Sequence, residues 1–269
     1  MKAKVYAKIN LNLLVTGRDL GLHTLDTLMH SISIYDVVEM SEGDGVYMDG
    51  KRDDRNSVNK VLSAMREKGL PAVRFDIKKG IPFSAGLGGS SADMAAAVAL
   101  VEKSYGIQLD STSLGSDVTF MKVGGFGRVR GVGDAVEYLD PLDLHLVVAK
   151  GKGGVSTKEA YRLYDETGVK GEGNSLALIE ALRCGDREKT IQNLVNDLQV
   201  PAEILNPSVK GTYAHMRKFT DMALMSGSGS AVFGIFESEY LAKQAEIVLR
   251  PLVGYARYVT TKKYGVEIL

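Results

Sequence analysis

The chain of 269 residues contains one cysteine, Cys184, and no tryptophan. A single cysteine excludes an intramolecular disulfide and is typical of a reducing compartment, so we expect a cytoplasmic protein. The formal net charge is zero, and the lack of a basic excess argues against nucleic acid as the main partner. No apolar run is long enough to span a bilayer, so we expect no membrane partner. The four histidines have no second histidine or cysteine at the spacing of a zinc site.

The chain does have the composition of a globular protein. Hydrophobic residues make up 45% of it and charged residues 25%, and the length suggests about two domains. The composition changes around Asp140-Pro141, so we predict one domain over residues 1–141 and another over residues 142–269. Strand and helix patterns mix in both halves, which favours an α+β fold over a doubly wound parallel sheet.

The first stretch, KVYAKINLNLLVTGR, alternates between apolar and polar residues as a strand does. Val5, Ala7 and Ile9 fall on one face, whereas Lys8 and Asn10 fall together on the other. Because residues two apart point to the same side of a strand, Lys8 and Asn10 can meet the same substrate.

The segment PFSAGLGGSSAD, from Pro82 to Asp93, is rich in glycine and serine. It can be a flexible linker or a loop that approaches an anion. A predicted strand, VRFDIKK, precedes it, and a predicted helix follows at once, with Ser90 and Asp93 at the spacing of a capping box. A strand, a glycine loop and a helix N-terminus together make an anion site, because free N–H groups and the helix dipole converge there.

Two common types of phosphate loop do not fit this segment. The Walker pattern GxxxxGK[ST] is absent from the chain, and Ser91 stands where a dinucleotide fingerprint needs its third glycine. The segment instead resembles the second motif of the galactokinase–homoserine kinase–mevalonate kinase–phosphomevalonate kinase (GHMP) superfamily. AKINLNLLVTGR near the start and MSGSGSAVFGIF near the end resemble its first and third motifs, in the required order.

The superfamily resemblance implies a small-molecule kinase with an N-terminal ribosomal-S5-domain-2-like domain and a C-terminal ferredoxin-like domain. The first domain would bind ATP and carry the catalytic pair, and the second would bind substrate. The implied cofactors are ATP and Mg²⁺, with Ser90 as a metal ligand or a phosphate contact. The residues implied to hold ATP form one continuous loop: Pro82, Phe83, Ser84, Ala85, Gly86, Leu87, Gly88, Gly89, Ser90, Ser91 and Ala92.

Within the superfamily, the chain resembles the 4-diphosphocytidyl-2-C-methyl-D-erythritol kinases of the non-mevalonate isoprenoid pathway. The resemblance rests on AKINL, TGR and GLHTL near the start, then GSDV at 115–118, VST at 155–157 and NDL at 196–198. It implies phosphorylation by ATP of the 2-hydroxyl of the methylerythritol moiety.

The resemblance assigns roles to particular residues, and each has a plainer alternative. Asp117 would accept or orient the proton of the substrate hydroxyl, but it can equally be a helix cap. Lys8 would stabilise the transferred phosphoryl group, although a strand lysine is usually solvated. His23 would hydrogen-bond the cytosine ring, and Tyr161 would stack on it unless it faces the core.

Asn10 and Thr157 complete the expected substrate contacts, and Leu22 stands where the family commonly has a stacking aromatic residue. The expected partner is therefore a small molecule, bound by a monomer or a weak homodimer. Two alternatives remain. Another kinase of the superfamily, acting on mevalonate or homoserine, would not need the histidine of GLHTL. A non-catalytic ligand sensor on this fold would be expected to lack Lys8 or Asp117.

Overall fold

A computed structural model describes all 269 residues and shows an α+β chain built on two sheets, as the sequence predicts. The strands are β1 Lys2–Asp19, β2 Leu22–Glu42, β3 Gly45–Met48, β4 Lys51–Arg52, β5 Val73–Lys78, β6 Phe126–Gly131, β7 Ala135–Leu139, β8 His145–Lys150, β9 Ala223–Met225, β10 Val232–Phe236, β11 Tyr255–Thr260 and β12 Val266–Ile268. The helices are α1 Asn59–Glu67, α2 Gly89–Tyr105, α3 Val118–Val123, α4 Thr157–Thr167, α5 Ser175–Cys184, α6 Arg187–Asn193, α7 Gln199–Leu205, α8 Pro207–Met216 and α9 Glu239–Val253.

The first sheet is organised by the long antiparallel hairpin of β1 and β2. Its strand order is β12-β1-β2-β5-β3-β4, and β6 and β7 continue the sheet from the first half of β2. Irregularities between Tyr6 and Ala7 and between Asn10 and Asn12 bend β1. Lys8, Asn10 and Asn12 are all buried, so the polar face of β1 lies inside the protein rather than in solvent.

Helix α2 packs against β1 and β2 and carries the main core. Small residues make this close approach possible, since Ala92, Ala95, Ala96 and Ala97 are fully buried. The helix begins directly after the glycine-rich loop, so packing of the helix fixes where that loop lies.

The second sheet has the order β11-β8-β10-β9, and all of its pairs are antiparallel. Helices α8 and α9 pack on it around a second core that includes Val147, Val209 and Leu249. The predicted boundary after residue 141 falls between β7 and β8 and stays a prediction. The last strand, β12, pairs with β1, so the end of the chain lies in the first sheet.

Residues 174–199 do not form a single helix. The chain forms α5 and α6 and then an irregular stretch before α7. Gly185 ends α5 with a positive φ, and the Asp186 side chain then caps α6 by accepting a hydrogen bond from the Lys189 N–H. None of the helices has both the length and the apolar character needed to cross a membrane.

Candidate active site

A cleft of about 630 Å³ contains nearly all of the predicted site residues. Its walls come from β1, the glycine-rich loop, the start of α3, the start of α4 and the loop between β9 and β10. Two predicted residues do not line it. Ala92 is buried beneath the loop, and His23 lies behind Tyr161, on whose ring it stacks.

The glycine-rich loop presents free amide groups to the cleft. Helix α2 starts after Gly88, which has a φ of 75°. Ala92 donates the first backbone hydrogen bond of the helix, to Gly88 O at 2.8 Å. The N–H groups of Gly89, Ser90 and Ser91 therefore have no partner in the protein, and they point out of the positive end of a 17-residue helix. This is the geometry of an anion site.

A second glycine loop, residues 226–230, packs directly against the first. Ser226 Oγ donates to Gly86 O at 3.0 Å, and Ala231 N donates to Ala85 O at 3.0 Å. A Cβ on Gly86 would lie 2.0 Å from Ser226 O, and the φ of Gly86 is +73°. Glycine is therefore required at Gly86 both for its backbone conformation and for this contact.

Lys8 and Asp117 face each other across the cleft. Lys8 Nζ lies 3.5 Å from Asp117 Oδ2, and the two side chains are 5% and 25% exposed. Asp117 precedes α3, but its side chain makes no capping hydrogen bond. The helix-cap alternative for Asp117 therefore does not hold, and its carboxylate is free to meet a ligand.

Asn10 holds the Lys8 ammonium in place. Lys8 Nζ donates to Asn10 Oδ1 at 2.5 Å, and Asn10 Nδ2 donates to Thr27 Oγ1 at 2.8 Å. This arrangement confirms that Lys8 and Asn10 share a face of β1. The side-chain amide of Asn10 is hydrogen-bonded to Lys8 and Thr27. Asn10 therefore orients Lys8 and also lines the cleft.

The predicted capping box at the start of α2 is wrong. Neither Ser90 nor Asp93 caps the helix, because Gly88 occupies the N-cap position and no side chain bonds there. The Asp93 carboxylate instead accepts from Lys79 Nζ at 2.7 Å, and Lys79 also donates to Asp36 at 2.5 Å. Ser90 keeps a hydroxyl with no protein partner on the cleft wall.

The Asp36–Lys79–Asp93 cluster is almost fully buried and places one cation between two carboxylates. Asp36 also accepts hydrogen bonds from the N–H groups of Gly80 and Ile81. Burial, with Asp36 nearby, raises the pKa of Asp93 to about 7, although Lys79 opposes the shift. The sequence analysis missed this cluster, since its members come from β2, the end of β5 and α2.

The loop before α1 also lines the cleft and was not predicted. Asp53, Arg55, Asn56 and Ser57 line the cleft together with the glycine-rich loop. Ser57 Oγ donates to Ser90 O at 3.4 Å, which ties this loop to the start of α2. The polar run DDRNS directly before a helix pattern was the only available signal.

Helix α4 brings Thr157 and Tyr161 to the cleft. Thr157 Oγ1 lies 2.7 Å from Ser228 Oγ. Tyr161 lines the cleft, and burial, followed by the charge of Asp117, raises the pKa of its hydroxyl. The His23 ring stacks on Tyr161 with 4.5 Å between ring centroids, so Tyr161 joins His23 to the cleft.

The models of two protein domains match the chain. The GHMP kinases N terminal domain matches residues 56–135, and the GHMP kinases C terminal domain matches residues 178–249. A 4-diphosphocytidyl-2-C-methyl-D-erythritol kinase of Desulfitobacterium hafniense is 36% identical over 261 residues, covering 91% of this chain and 90% of the relative. The corresponding protein of Caldicellulosiruptor saccharolyticus is 32% identical over 97% of both chains.

The chain belongs to the 4-diphosphocytidyl-2-C-methyl-D-erythritol kinase family. A crystal structure of a 4-(cytidine 5'-diphospho)-2C-methyl-D-erythritol kinase superposes with a TM-score of 0.83 at 31% identity, covering 97% of this chain and 99% of the other. A homoserine kinase from Cytophaga hutchinsonii superposes with a TM-score of 0.69 at 17% identity, covering 100% of this chain and 97% of the other. The second match shows a shared fold only. The expected family and two-domain GHMP fold are thus confirmed.

Proposed function

We propose that this chain transfers the terminal phosphoryl group of ATP to the 2-hydroxyl of 4-diphosphocytidyl-2-C-methyl-D-erythritol. The observation that carries the proposal is the Lys8–Asp117 pair, which is 3.5 Å apart and opens into the same cleft as the free amides of α2. A phosphate chain on those amides would point its terminal phosphorus toward this pair. The family supplies the identity of the acceptor.

The nucleotide would be held at the glycine-rich loop. The free N–H groups of Gly89, Ser90 and Ser91 would donate to phosphate oxygens, and the dipole of α2 favours their negative charge. The glycines let the main chain approach those oxygens without Cβ atoms in the way. The loop before α1, with Asn56 and Ser57, would bound the nucleoside end.

Asp117 would act on the acceptor hydroxyl, and Lys8 on the group in transfer. As the hydroxyl oxygen bonds to the terminal phosphorus, its proton passes to the Asp117 carboxylate. The bond from phosphorus to the bridging oxygen breaks, and ADP leaves with the electron pair. The Lys8 ammonium, held by Asn10, would stabilise negative charge on the transferred oxygens.

Mg²⁺ would enter the cleft with ATP, because the protein has no cage for it. No group of three or more His, Cys, Asp or Glu side chains is arranged to hold a metal. Mg²⁺ bound to phosphates needs only one or two protein ligands, and the unpartnered Ser90 hydroxyl on the cleft wall fits that need. The ion would neutralise charge on the phosphate oxygens.

The cytosine ring would lie at the α4 end of the cleft. Tyr161 provides an aromatic face there, and Leu25 and Leu198 add apolar surface. Leu22 is 61% exposed and provides no stacking face. We therefore assign stacking to Tyr161 and hydrogen bonding to His23.

All of these groups come from one chain, so we propose that a monomer is sufficient. The single exposed cysteine agrees with a cytoplasmic location.

The test is ADP release with three acceptors in parallel, namely the cytidylyl compound, mevalonate and homoserine. The proposal predicts ATP-dependent turnover only with the cytidylyl compound. Turnover with mevalonate or homoserine alone would reject the assigned acceptor and retain the kinase. Binding of ATP without turnover of any acceptor would favour a ligand sensor.

A further inference from the structure

Thr27 is buried next to the candidate active site but does not line the cleft. It lies on β2, two residues before Met29, which pairs with Asn10 across the hairpin. Because residues two apart on a strand share a face, Thr27 and Asn10 are diagonal neighbours on one face of the sheet. Asn10 Nδ2 donates to Thr27 Oγ1 at 2.8 Å. Thr27 is therefore one contact removed from Lys8, which bonds the other end of the Asn10 amide.

The hydrogen bonds of Thr27 fix the direction of the Asn10 amide. A threonine hydroxyl carries one proton, and Thr27 Oγ1 donates it to Asn12 O at 2.5 Å. The hydroxyl can therefore only accept from Asn10. This turns Nδ2 of the amide toward Thr27 and Oδ1 toward the Lys8 ammonium. Asn10 and Asn12 are as deeply buried as Thr27, so solvent does not replace these contacts.

Asn10 in turn holds the Lys8 ammonium away from Asp117. The stem of Lys8 lies against the glycine-rich loop, since a Cβ on Gly88 would come within 3.1 Å of Lys8 Cγ and 3.3 Å of Lys8 Cε. With the stem confined, the ammonium can turn toward Asn10 or toward Asp117. It bonds Asn10 at 2.5 Å and stays 3.5 Å from Asp117, farther than the roughly 2.8 Å of a charge-assisted hydrogen bond.

We propose that Thr27 is a positioning residue for phosphoryl transfer, which acts by anchoring the Asn10 amide. The anchored amide keeps the Lys8 ammonium apart from the Asp117 carboxylate. The inference rests on the proposed function, in which Lys8 acts on the phosphoryl group and Asp117 on the acceptor hydroxyl. Without the Thr27 hydroxyl, Asn10 Nδ2 is a buried donor with no partner, and the cost of such a donor drives the amide out of this orientation. The ammonium then closes on the carboxylate, and neither group is free for the reaction.

The variant that tests the inference is Thr27→Val, which keeps the shape of the side chain and removes its hydroxyl. Thr27→Ala removes the same hydroxyl and replaces the valine variant in every measurement if that variant does not fold. Thr27→Ser should keep most of the activity, because its hydroxyl can make the same two hydrogen bonds.

The matched control is Thr220→Val, which removes a buried hydroxyl with the same pattern of hydrogen bonds. Thr220 Oγ1 accepts from the Met222 N–H at 3.1 Å and donates to Ile235 O at 2.8 Å. Thr220 is buried but does not line the cleft, so its hydroxyl has no path to the candidate active site.

The first measurement is steady-state kinetics with ATP and the cytidylyl compound. We expect the kcat of Thr27→Val to fall roughly tenfold, as for the loss of one hydrogen bond, while both KM values stay near those of wild type. A fall in kcat alone marks an interaction made in the transition state, whereas a merely structural role would lower the thermal stability of Thr27→Val and Thr220→Val alike and spare kcat. A wild-type kcat in Thr27→Val, or the same loss of kcat in Thr27→Ser or Thr220→Val, would overturn the inference.

A double-mutant cycle shows whether Thr27 acts through Asn10. Asn10→Ala removes the amide that Thr27 anchors, so adding Thr27→Val in that background should lower kcat no further. Effects of the two changes that simply multiply would mean that Thr27 acts independently of Asn10, and would refute the inference.

The last measurement needs no substrate and consists of crystal structures of wild type and Thr27→Val without ligand. The variant should show the Lys8 ammonium within hydrogen-bond distance of Asp117, whereas the two groups stay apart in wild type. If the Asn10 amide and the Lys8 side chain do not move in Thr27→Val, the inference is wrong whatever the acceptor is. Failure of the proposed function appears separately, because wild type itself would then not phosphorylate the cytidylyl compound.

Discussion

Lys8 donates its backbone N–H to Leu87 O at 3.1 Å, so the strand that carries the lysine is bonded directly to the glycine-rich loop. The loop and the Lys8 ammonium therefore keep a fixed separation. Asn10 then sets the direction of the side chain through its 2.5 Å contact with Nζ. The same strand thus positions both the glycine-rich loop and the Lys8 ammonium before any ligand binds.

Replacement of the Lys8 ammonium should affect turnover more than nucleotide binding. Lys8→Met keeps the backbone bond to Leu87 and most of the side-chain volume but removes the charge. We expect kcat to fall by about 10²-fold or more, as for loss of one electrostatic contact to the transition state, with a smaller change in the KM for ATP. Lys4→Met, on the same strand, is the control. Steady-state kinetics in which Lys8→Met kept a kcat within a few-fold of wild type would contradict the role.

Gly86 and Gly185 offer a matched test of the contact between the two glycine loops. Both have a φ of +73°, but a Cβ on Gly185 would meet nothing within 4 Å. Gly185→Ala should cost about 1–2 kcal/mol for its backbone conformation alone. Gly86→Ala should lower the free energy of unfolding by about 1–3 kcal/mol more than Gly185→Ala, because the two glycine loops must separate to make room for the Cβ. It should also weaken ATP binding. Urea unfolding and nucleotide titration measure both effects, and equal destabilisation by the two variants would refute the contact argument.

The strand, loop and helix around residues 73–105 were predictable from the sequence because their signals are local. Alternation marked β5, the glycines marked the loop, and the alanine-rich run marked α2. The capping box failed because Asp93 satisfies a distant cation, Lys79, rather than its own helix. The buried ion pair of Asp93 with Lys79 outweighs the tendency of Asp93 to cap its own helix. The sequence pattern does not show which of these two interactions is the stronger.

Features that join distant segments were not predictable. The return of β12 to β1 depends on the pairing of Ala3 with Ile268 across the whole chain. The contact of His23 with Asp165 depends on the docking of α4 against the hairpin. In the candidate site, Lys8 and Asp117 were predicted from motifs that the chain shares with the family. The contacts of His23 with Asp165 and of Lys79 with Asp36 and Asp93 were seen only in the structure.

Tyr161 should act through its ring rather than its hydroxyl. The hydroxyl makes no hydrogen bond to the protein, whereas the ring stacks on His23. Tyr161→Phe should leave the KM for the cytidylyl compound within about threefold, and Tyr161→Ala should raise it about tenfold or more through the loss of stacking and apolar area. The KM for ATP serves as the internal control. A large effect of Tyr161→Phe would show instead that the hydroxyl binds substrate.

Asp93 should make the stability of the protein depend on pH. Its pKa in the folded state is about 7, above the unfolded value of 3.8. Between these values the folded protein keeps a proton that the unfolded chain releases, so stability falls as pH rises. Asn cannot titrate, so the stability of wild type relative to Asp93→Asn should decrease from pH 5 to pH 8 in urea unfolding. Asp140→Asn, an exposed change, is the control, and a pH-independent difference for Asp93→Asn would contradict the shift.

The most direct test of the account is the transfer of labelled phosphate from [γ-³²P]ATP to 4-diphosphocytidyl-2-C-methyl-D-erythritol by wild type, Asp117→Asn and Asp140→Asn. We expect wild type and Asp140→Asn to place the label on the cytidylyl compound, and Asp117→Asn to do so about 10²- to 10⁴-fold more slowly with ATP affinity retained. Label transfer by Asp117→Asn at the wild-type rate, or none by wild type, would contradict the central claim.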